Sequence, residues 1–368
     1  MFFELQKANA FDTRAAKRAS KLCASCSMLR SELRETAFWK KYDVRDLKSR
    51  ANSGSCALCT LLWDTCKRNG GHNARTVQFD REGAFLKLDT AKNVVLSLVC
   101  NPERGLHPPS DCQIGLVELP EAGSLTHLSI IRHWLNDCDT NSNHSCNPAP
   151  LASSVSSIQK PRMPTRLLDV GHDGDNTVFL WETDSRPGVE WIALSHRWGE
   201  HNFSTTADTR EKHINGLKLG DLPATFKDAV TVTRALGKRF LWIDSLCIIQ
   251  GPDGDFAKEA TRMADVYSGA YCVIAASCAA HHYDGFLKRR SARQHVTMVP
   301  EGENQSPYYI CETIDNFKRD VLDGPLNLRG WVLQEHALAR RTIFFAEHQT
   351  YFECKDGVKC ETSTKLAK

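Results

Sequence analysis

The sequence predicts an α/β protein in two parts: a parallel-sheet domain over residues 165–354, preceded by a smaller α+β, Cys-rich region over residues 1–160. Three observations carry this. In the second half, strand and helix patterns alternate across short loops. In the first half, short alternating runs follow one another closely. The 15 Cys are also uneven, with nine of them in residues 1–146.

Residues 22–70 read as mainly helical, with turn formers at Asn52–Gly54 and Asn69–Gly71. Strand-like runs at 75–80, 84–89 and 93–99 suggest a small antiparallel meander. In residues 124–138, Leu128, Ile131, Trp134 and Leu135 keep helical spacing. Residues 139–164 are rich in Ser, Asn and Pro and read as the linker between the parts. Strands are expected at 167–170, 177–181 and 191–195. A helix at 222–237 has Pro223 at its start and Gly237 as its stop, with Phe226, Val230 and Thr233 on one face. The near-continuous apolar run 240–249 reads as a strand buried on both faces. Phe256, Ala260, Met263 and Tyr267 mark a further helix, and 271–277 another buried strand. This order argues for a parallel sheet with crossover helices. Runs at 342–345 and 350–353 read as a hairpin or two added strands, and residues 355–368 as a polar, frayed tail.

Composition narrows the class. The chain has 368 residues, 41% apolar and 25% charged, with 47 Lys+Arg against 44 Asp+Glu. Collagen, coiled coil and wholesale disorder are excluded. The near balance of charge gives no case for nucleic acid or an anionic membrane as partner. The apolar stretch at the N-terminus is only Met1–Phe3, short of the roughly 7–15 apolar residues of a secretory signal. No window approaches the ~18 apolar residues of a membrane span. A reducing, cytoplasmic location is therefore expected, where Cys is buried, metal-bound or reactive rather than paired in disulfides.

In an open parallel sheet, ligands bind beyond the carboxyl ends of the strands. There the sequence places Ser195, His196, Arg197, Trp198 and Gly199 after one strand, and Asp244, Ser245 and Gln250 in and after the next. Ser277, Cys278, His281 and His282 follow the third, and Glu259 opens the adjoining helix. Such a set suits a small anionic or ribosyl ligand. It equally suits a structural role, with Asp244 bonding nearby backbone and Trp198 in the core. The chain lacks the phosphate-loop pattern, the dinucleotide fingerprint, G-x-S-x-G and H-E-x-x-H. Cys247, in an apolar run, reads as an inert thiol.

Two CxxC pairs, Cys23–Cys26 and Cys56–Cys59, offer four thiolates for a tetrahedral structural zinc. The 29 residues between the pairs exceed the ~15–20 of compact zinc ribbons, so buried free thiols are the competing reading. Cys138, His144 and Cys146 have metal-capable spacing but lack a fourth ligand. On a short helix at 328–341, Arg329, Trp331, Gln334 and Glu335 set one large apolar anchor among polar groups. An Arg329–Glu335 bridge to the sheet rim would account for them.

Several long blocks then carry a family resemblance. EWIALSHRWGE (190–200), LPATFKDAVTVTRALGKRFLWIDSLCIIQG (222–251), EATRMADVYSGAYCVIAASCAAHHYDGF (259–286), RGWVLQEHALARRTIFF (329–345) and YFEC (351–354) occur in the order found in the fungal heterokaryon-incompatibility (HET) domain, which the chain resembles over about residues 165–354. The matching positions include Trp242, Asp244, Cys247, Met263, Arg329, Trp331, Gln334 and Glu335. His196 stands where many members have Tyr.

The resemblance implies an effector in fungal non-self recognition, leading to regulated cell death through protein association. A partner, or self-association, would supply the trigger. It also implies a distantly TIR-like fold. By that analogy the alternative is an NAD glycohydrolase. Glu259 would then be the catalytic carboxylate, and Ser195, Arg197 and Trp198 would hold phosphate and ring. The competing reading of Glu259 is a first-turn acid that favours the helix dipole and pairs with Arg262.

Overall fold

A computed structural model describes residues 19–33, 37–91, 93–100, 111–141, 162–183, 188–200, 203–299, 306–328 and 335–363. The chain forms two compact units, and neither is one continuous stretch. Unit 1 takes Met1–Leu119, Ser291–Asn316 and Cys360–Lys368; unit 2 takes Pro120–Arg290 and Phe317–Lys359. This differs from the contiguous division into 1–160 and 165–354. Most of the expected linker, 142–161, lies outside the described residues, as do His144 and Cys146.

In chain order the elements begin with α1 (Ala24–Glu32), β1 (Ala37–Asp43), α2 (Val44–Asn52), α3 (Ala57–Arg68), β2 (Thr76–Glu82), β3 (Phe85–Leu88), β4 (Val94–Cys100) and β5 (Gln113–Ile114). Next come α4 (Leu125–Thr140), β6 (Arg166–Asp169), β7 (Thr177–Glu182), β8 (Trp191–Ser195), β9 (Thr205–Thr206), α5 (Ala207–Asn215), β10 (Leu217–Lys218) and α6 (Ala224–Ala235). Then follow β11 (Phe240–Ile243), α7 (Asp244–Cys247), β12 (Ile249–Gln250), α8 (Phe256–Ala260), α9 (Met263–Gly269) and β13 (Cys272–Ala275). Last are β14 (His295–Met298), β15 (Tyr308–Glu312), β16 (Arg341–Phe345), β17 (Thr350–Cys354) and β18 (Gly357–Cys360).

Unit 1 is built on a sheet of order β1-β2-β3-β4-β15-β14, with β5 beside β4. The meander β2–β3–β4 forms as the alternation predicts. What completes the sheet is β15, which pairs with β4 from more than 200 residues further along the chain. That pairing is why residues 291–316 belong to unit 1. Val77 and Phe79 of β2 point inward with Leu96 and Leu98 of β4, against Leu47 of α2 and Leu58, Leu61 and Leu62 of α3. Each such side chain contributes about 1.5–3 kcal/mol by leaving water. The stretch 22–70, expected to be mainly helical, is interrupted by β1, an edge strand held antiparallel to β2.

Unit 2 holds a sheet of order β10-β7-β6-β11-β8-β13-β16-β17-β18. Its four central strands, β11, β8, β13 and β16, run parallel. β6 and β17 flank them antiparallel. The predicted parallel sheet is thus the centre of a mixed one. Every residue of β8 and β13 is buried, as continuous apolar runs require. β8 comes first in sequence, with β11 on one side and β13 on the other, so the strand order reverses at β8. α6 starts just after Pro223 and buries Phe226, Ala229, Val230 and Thr233. It stops near Gly237, whose φ of +70° suits a residue without Cβ.

Two further expectations need correction. The run 240–249 is not one strand: β11 ends at Ile243, and Asp244–Cys247 form a single helical turn before β12. The Asp244 carboxylate accepts the Ser245 backbone N–H at 2.7 Å, which turns the chain there. Nor is 355–368 wholly a polar tail. β18 continues the sheet, and Glu361 and Thr362 are fully buried, with the Thr362 hydroxyl donating to Asp315 at 2.6 Å.

Leu194, 1% exposed in the middle of the parallel centre, is the strictest test of this core. Leu194→Ala is expected to lower the unfolding free energy by about 2–5 kcal/mol, measured by urea denaturation.

Candidate functional site

The carboxyl ends of the parallel strands gather most of the predicted rim residues, but they gather them onto one another. Ser195 closes β8, is 3% exposed, and donates its hydroxyl to the Glu335 carboxylate. Glu335 is helical, as are 336–338 after it, and is itself 7% exposed. Trp198 donates its indole N–H to Asp244 Oδ2 at 2.7 Å. The other Asp244 oxygen lies 3.8 Å from His196 Nδ1. His196 sits edge-on to Phe226 at 5.1 Å and near His282 at 6.5 Å. Gln250 donates to the Ile248 carbonyl at 3.0 Å. Arg197 is half-buried.

Gly199 brings the loop after β8 against the loop after β13. Its φ is +84°, and a Cβ there would come within 2.6 Å of the His281 Cβ. Only glycine allows that approach without strain.

Glu259 lies in α8 on the β6 side of the rim and is 4% exposed. It accepts from the Thr165 hydroxyl at 2.6 Å and sits 3.5 Å from Arg262 Nη1. Arg262 also donates to the Met163 carbonyl at 2.9 Å. Beside them Arg166, 4% exposed, donates to the Cys247 carbonyl at 2.9 Å and pairs with Asp255. Sequence reasoning does not single out Thr165, Arg166 and Asp255. The bonds Thr165–Glu259, Arg166–Cys247 and Arg166–Asp255 each span more than 80 residues, and no local pattern marks them.

The remaining family positions that are described lie within the fold as follows. Trp242 is buried in β11, edge-on to Tyr267 at 5.5 Å. Met263 is half-buried at the start of α9. Burial pushes the Cys247 thiol up to about 12, so it holds its proton and packs as an apolar side chain. Arg329, Trp331 and Gln334 lie outside the described residues.

In unit 1 the two CxxC pairs converge. The sulfurs of Cys23, Cys26, Cys56 and Cys59 all lie within 4.8 Å of one another. Cys26 and Cys59 are 3.5 Å apart, Cys23 and Cys59 3.9 Å. A tetrahedral zinc with bonds of ~2.3 Å sets its sulfurs about 3.8 Å apart, so the spacing fits a metal such as zinc. Each pair straddles a helix start. Cys56 caps α3 and accepts the Cys59 N–H at 3.5 Å, and Cys23 stands just before α1. Helix N-termini favour thiolate. The Cys26 thiol holds Cys59 down at about 6, against the push of burial, with Arg50 adding to the depression.

Residues 191–335 match the family model described as Heterokaryon incompatibility protein (HET). No curated protein and no solved structure matches the chain. Among the described residues, no helix is long and apolar enough to cross a membrane.

His213, 5% exposed, ties the loop after β8 to α7. The Thr205 hydroxyl donates to the Leu246 carbonyl and so accepts from His213 Nδ1, at 2.7 and 2.8 Å. Burial, then Lys212, holds the His213 pKa below its usual 6.5. Above pH 6.5 both native and unfolded chains are neutral there, and stability is full. Below it the unfolded chain takes the proton first, so stability falls with pH by up to ~1.4 kcal/mol per unit. Urea midpoints measured from pH 7.5 to 5.5 should drop further for the native sequence than for His213→Gln.

Proposed function

Because the chain carries a heterokaryon-incompatibility (HET) domain over residues 191–335, we propose that it is an effector of fungal non-self recognition. It drives regulated cell death in the cytoplasm by associating with a partner protein or with itself. The supporting observation is the state of the rim. Ser195, Trp198, Asp244 and Glu259 are engaged with other protein groups. Such a rim favours a rigid scaffold for protein contacts over a cleft that turns over a substrate. The TIR-like kinship and the NAD-cleaving alternative rest on analogy of fold. Against catalysis by Glu259 stands its burial under Thr165 and Arg262.

The test is expression of the full chain in a fungal host, with viability as readout, beside nicotinamide release from NAD by purified protein. Glu259→Gln keeps an acceptor for Thr165 while removing the charge. Cell death that persists in Glu259→Gln, without nicotinamide release, is the expected result. Release of nicotinamide that disappears in this variant would establish the enzyme instead. Survival of cells making either form would overturn the effector reading.

The four Cys of unit 1 hold a structural zinc in this proposal, supported by the spacing of their sulfurs. The ion would cross-link the starts of α1 and α3, adding stability that the free thiols lack. Elemental analysis should find zinc in the purified chain and none in Cys59→Ser. Chelation should lower the melting temperature of the first and leave the second unchanged. A zinc-free native chain with the same melting temperature would contradict the assignment.

A further inference from the structure

Helix α4 has two unlike faces. One buries Leu128, Ile131, Trp134 and Leu135. The other carries Ser129, Arg132, His133 and Asn136, spaced so that they line up along about 10 Å of helix. This polar face forms one wall of a cavity of ≈ 490 Å³ in unit 2, completed by Leu135, Asp139, Leu236 and Tyr271. That volume lies within the usual range for small-molecule sites.

The floor of the cavity is held in place by charge. Tyr271 donates its hydroxyl to Asp139 Oδ2 at 2.7 Å, and the Arg341 guanidinium meets Asp139 Oδ1 at 2.7 Å. Lys238 Nζ lies 3.7 Å from the centre of the Tyr271 ring, and it also pairs with Glu190 at 2.8 Å. Arg341 is 4% exposed, and its Nε is buried with no hydrogen-bond partner. The only carboxylate lining the cavity, Asp139, is therefore neutralised by Arg341 and does not repel an anion.

The free donors face the other way. The Ser129 hydroxyl is engaged with the Leu125 carbonyl at 2.7 Å. Arg132 is exposed and makes no ion pair or hydrogen bond among the described residues, and the Asn136 amide likewise. A guanidinium fork and an amide one turn apart suit an oxyanion with several acceptor oxygens. Leu236 and the Tyr271 ring offer an apolar surface opposite.

We infer that this cavity binds a small organic phosphate, its phosphate on Arg132 and Asn136 and its apolar body against Leu236 and Tyr271. The site lies at α4 and the start of β13, and it is independent of the effector reading and of the carboxyl-end rim.

The test titrates the full chain with phenyl phosphate, inorganic phosphate and benzoate by calorimetry, at constant ionic strength. Phenyl phosphate should bind more tightly than either of the others, because each of those lacks one half of the match. Arg132→Ala, an exposed change that spares the core, should weaken phenyl phosphate by at least about tenfold. Exposed Lys41→Ala, in unit 1, should leave it unchanged. Tighter binding of benzoate would reassign the site to carboxylates and overturn the inference. Binding equal in Arg132→Ala, or no binding at millimolar phenyl phosphate, would also overturn it.

Discussion

The hydrogen bond from Ser195 to the buried carboxylate of Glu335 is the interaction on which the parallel centre of unit 2 depends. A central strand buried on both faces must end somewhere. Where β8 ends, a polar hydroxyl and a carboxylate are both almost fully removed from water. Each helps to satisfy the other there, since a buried unpaired polar group costs about 1–3 kcal/mol, and more if charged. The bond also joins segments 140 residues apart. It therefore fixes the chain entering β16 against the end of β8, with β13 between them in the sheet.

The same logic repeats along the rim. Asp244 is satisfied by Trp198 and by its own helical turn, and Glu259 by Thr165 and Arg262. Three carboxylates at the carboxyl edge of a parallel sheet would ordinarily suggest a ligand site. Here each has protein donors at hydrogen-bonding distance, and Gly199 lets the loops after β8 and β13 close on each other. The edge is organised to hold a shape.

How much of this was legible in the sequence follows from where each determinant lies. The helix after Pro223 and the strands β8 and β13 were legible because their signals are local: a fixed φ, a spacing, a continuous apolar run. The break at Asp244 was not, because the run 240–249 is apolar on both sides of it and the donor Trp198 is 46 residues away. β1, with two lysines and an exposed Trp39, lacks the pattern of a strand and exists because β2 pairs with it. The CxxC pairs were legible as candidates, but their convergence depends on how α1 and α3 pack. The split into units was hidden because β15 joins β4 across most of the chain.

The central claim is that the rim carboxylates act within the fold, and a double-mutant cycle on Ser195→Ala and Glu335→Gln measures it most directly. Unfolding free energies of the four proteins give the coupling between the two side chains. A coupling of about 1–3 kcal/mol is predicted, since Ser195→Ala takes one donor from a buried carboxylate only when Glu335 is present. A coupling within ~0.3 kcal/mol of zero would contradict the account, because the Ser195–Glu335 bond would then add nothing to the stability of the fold.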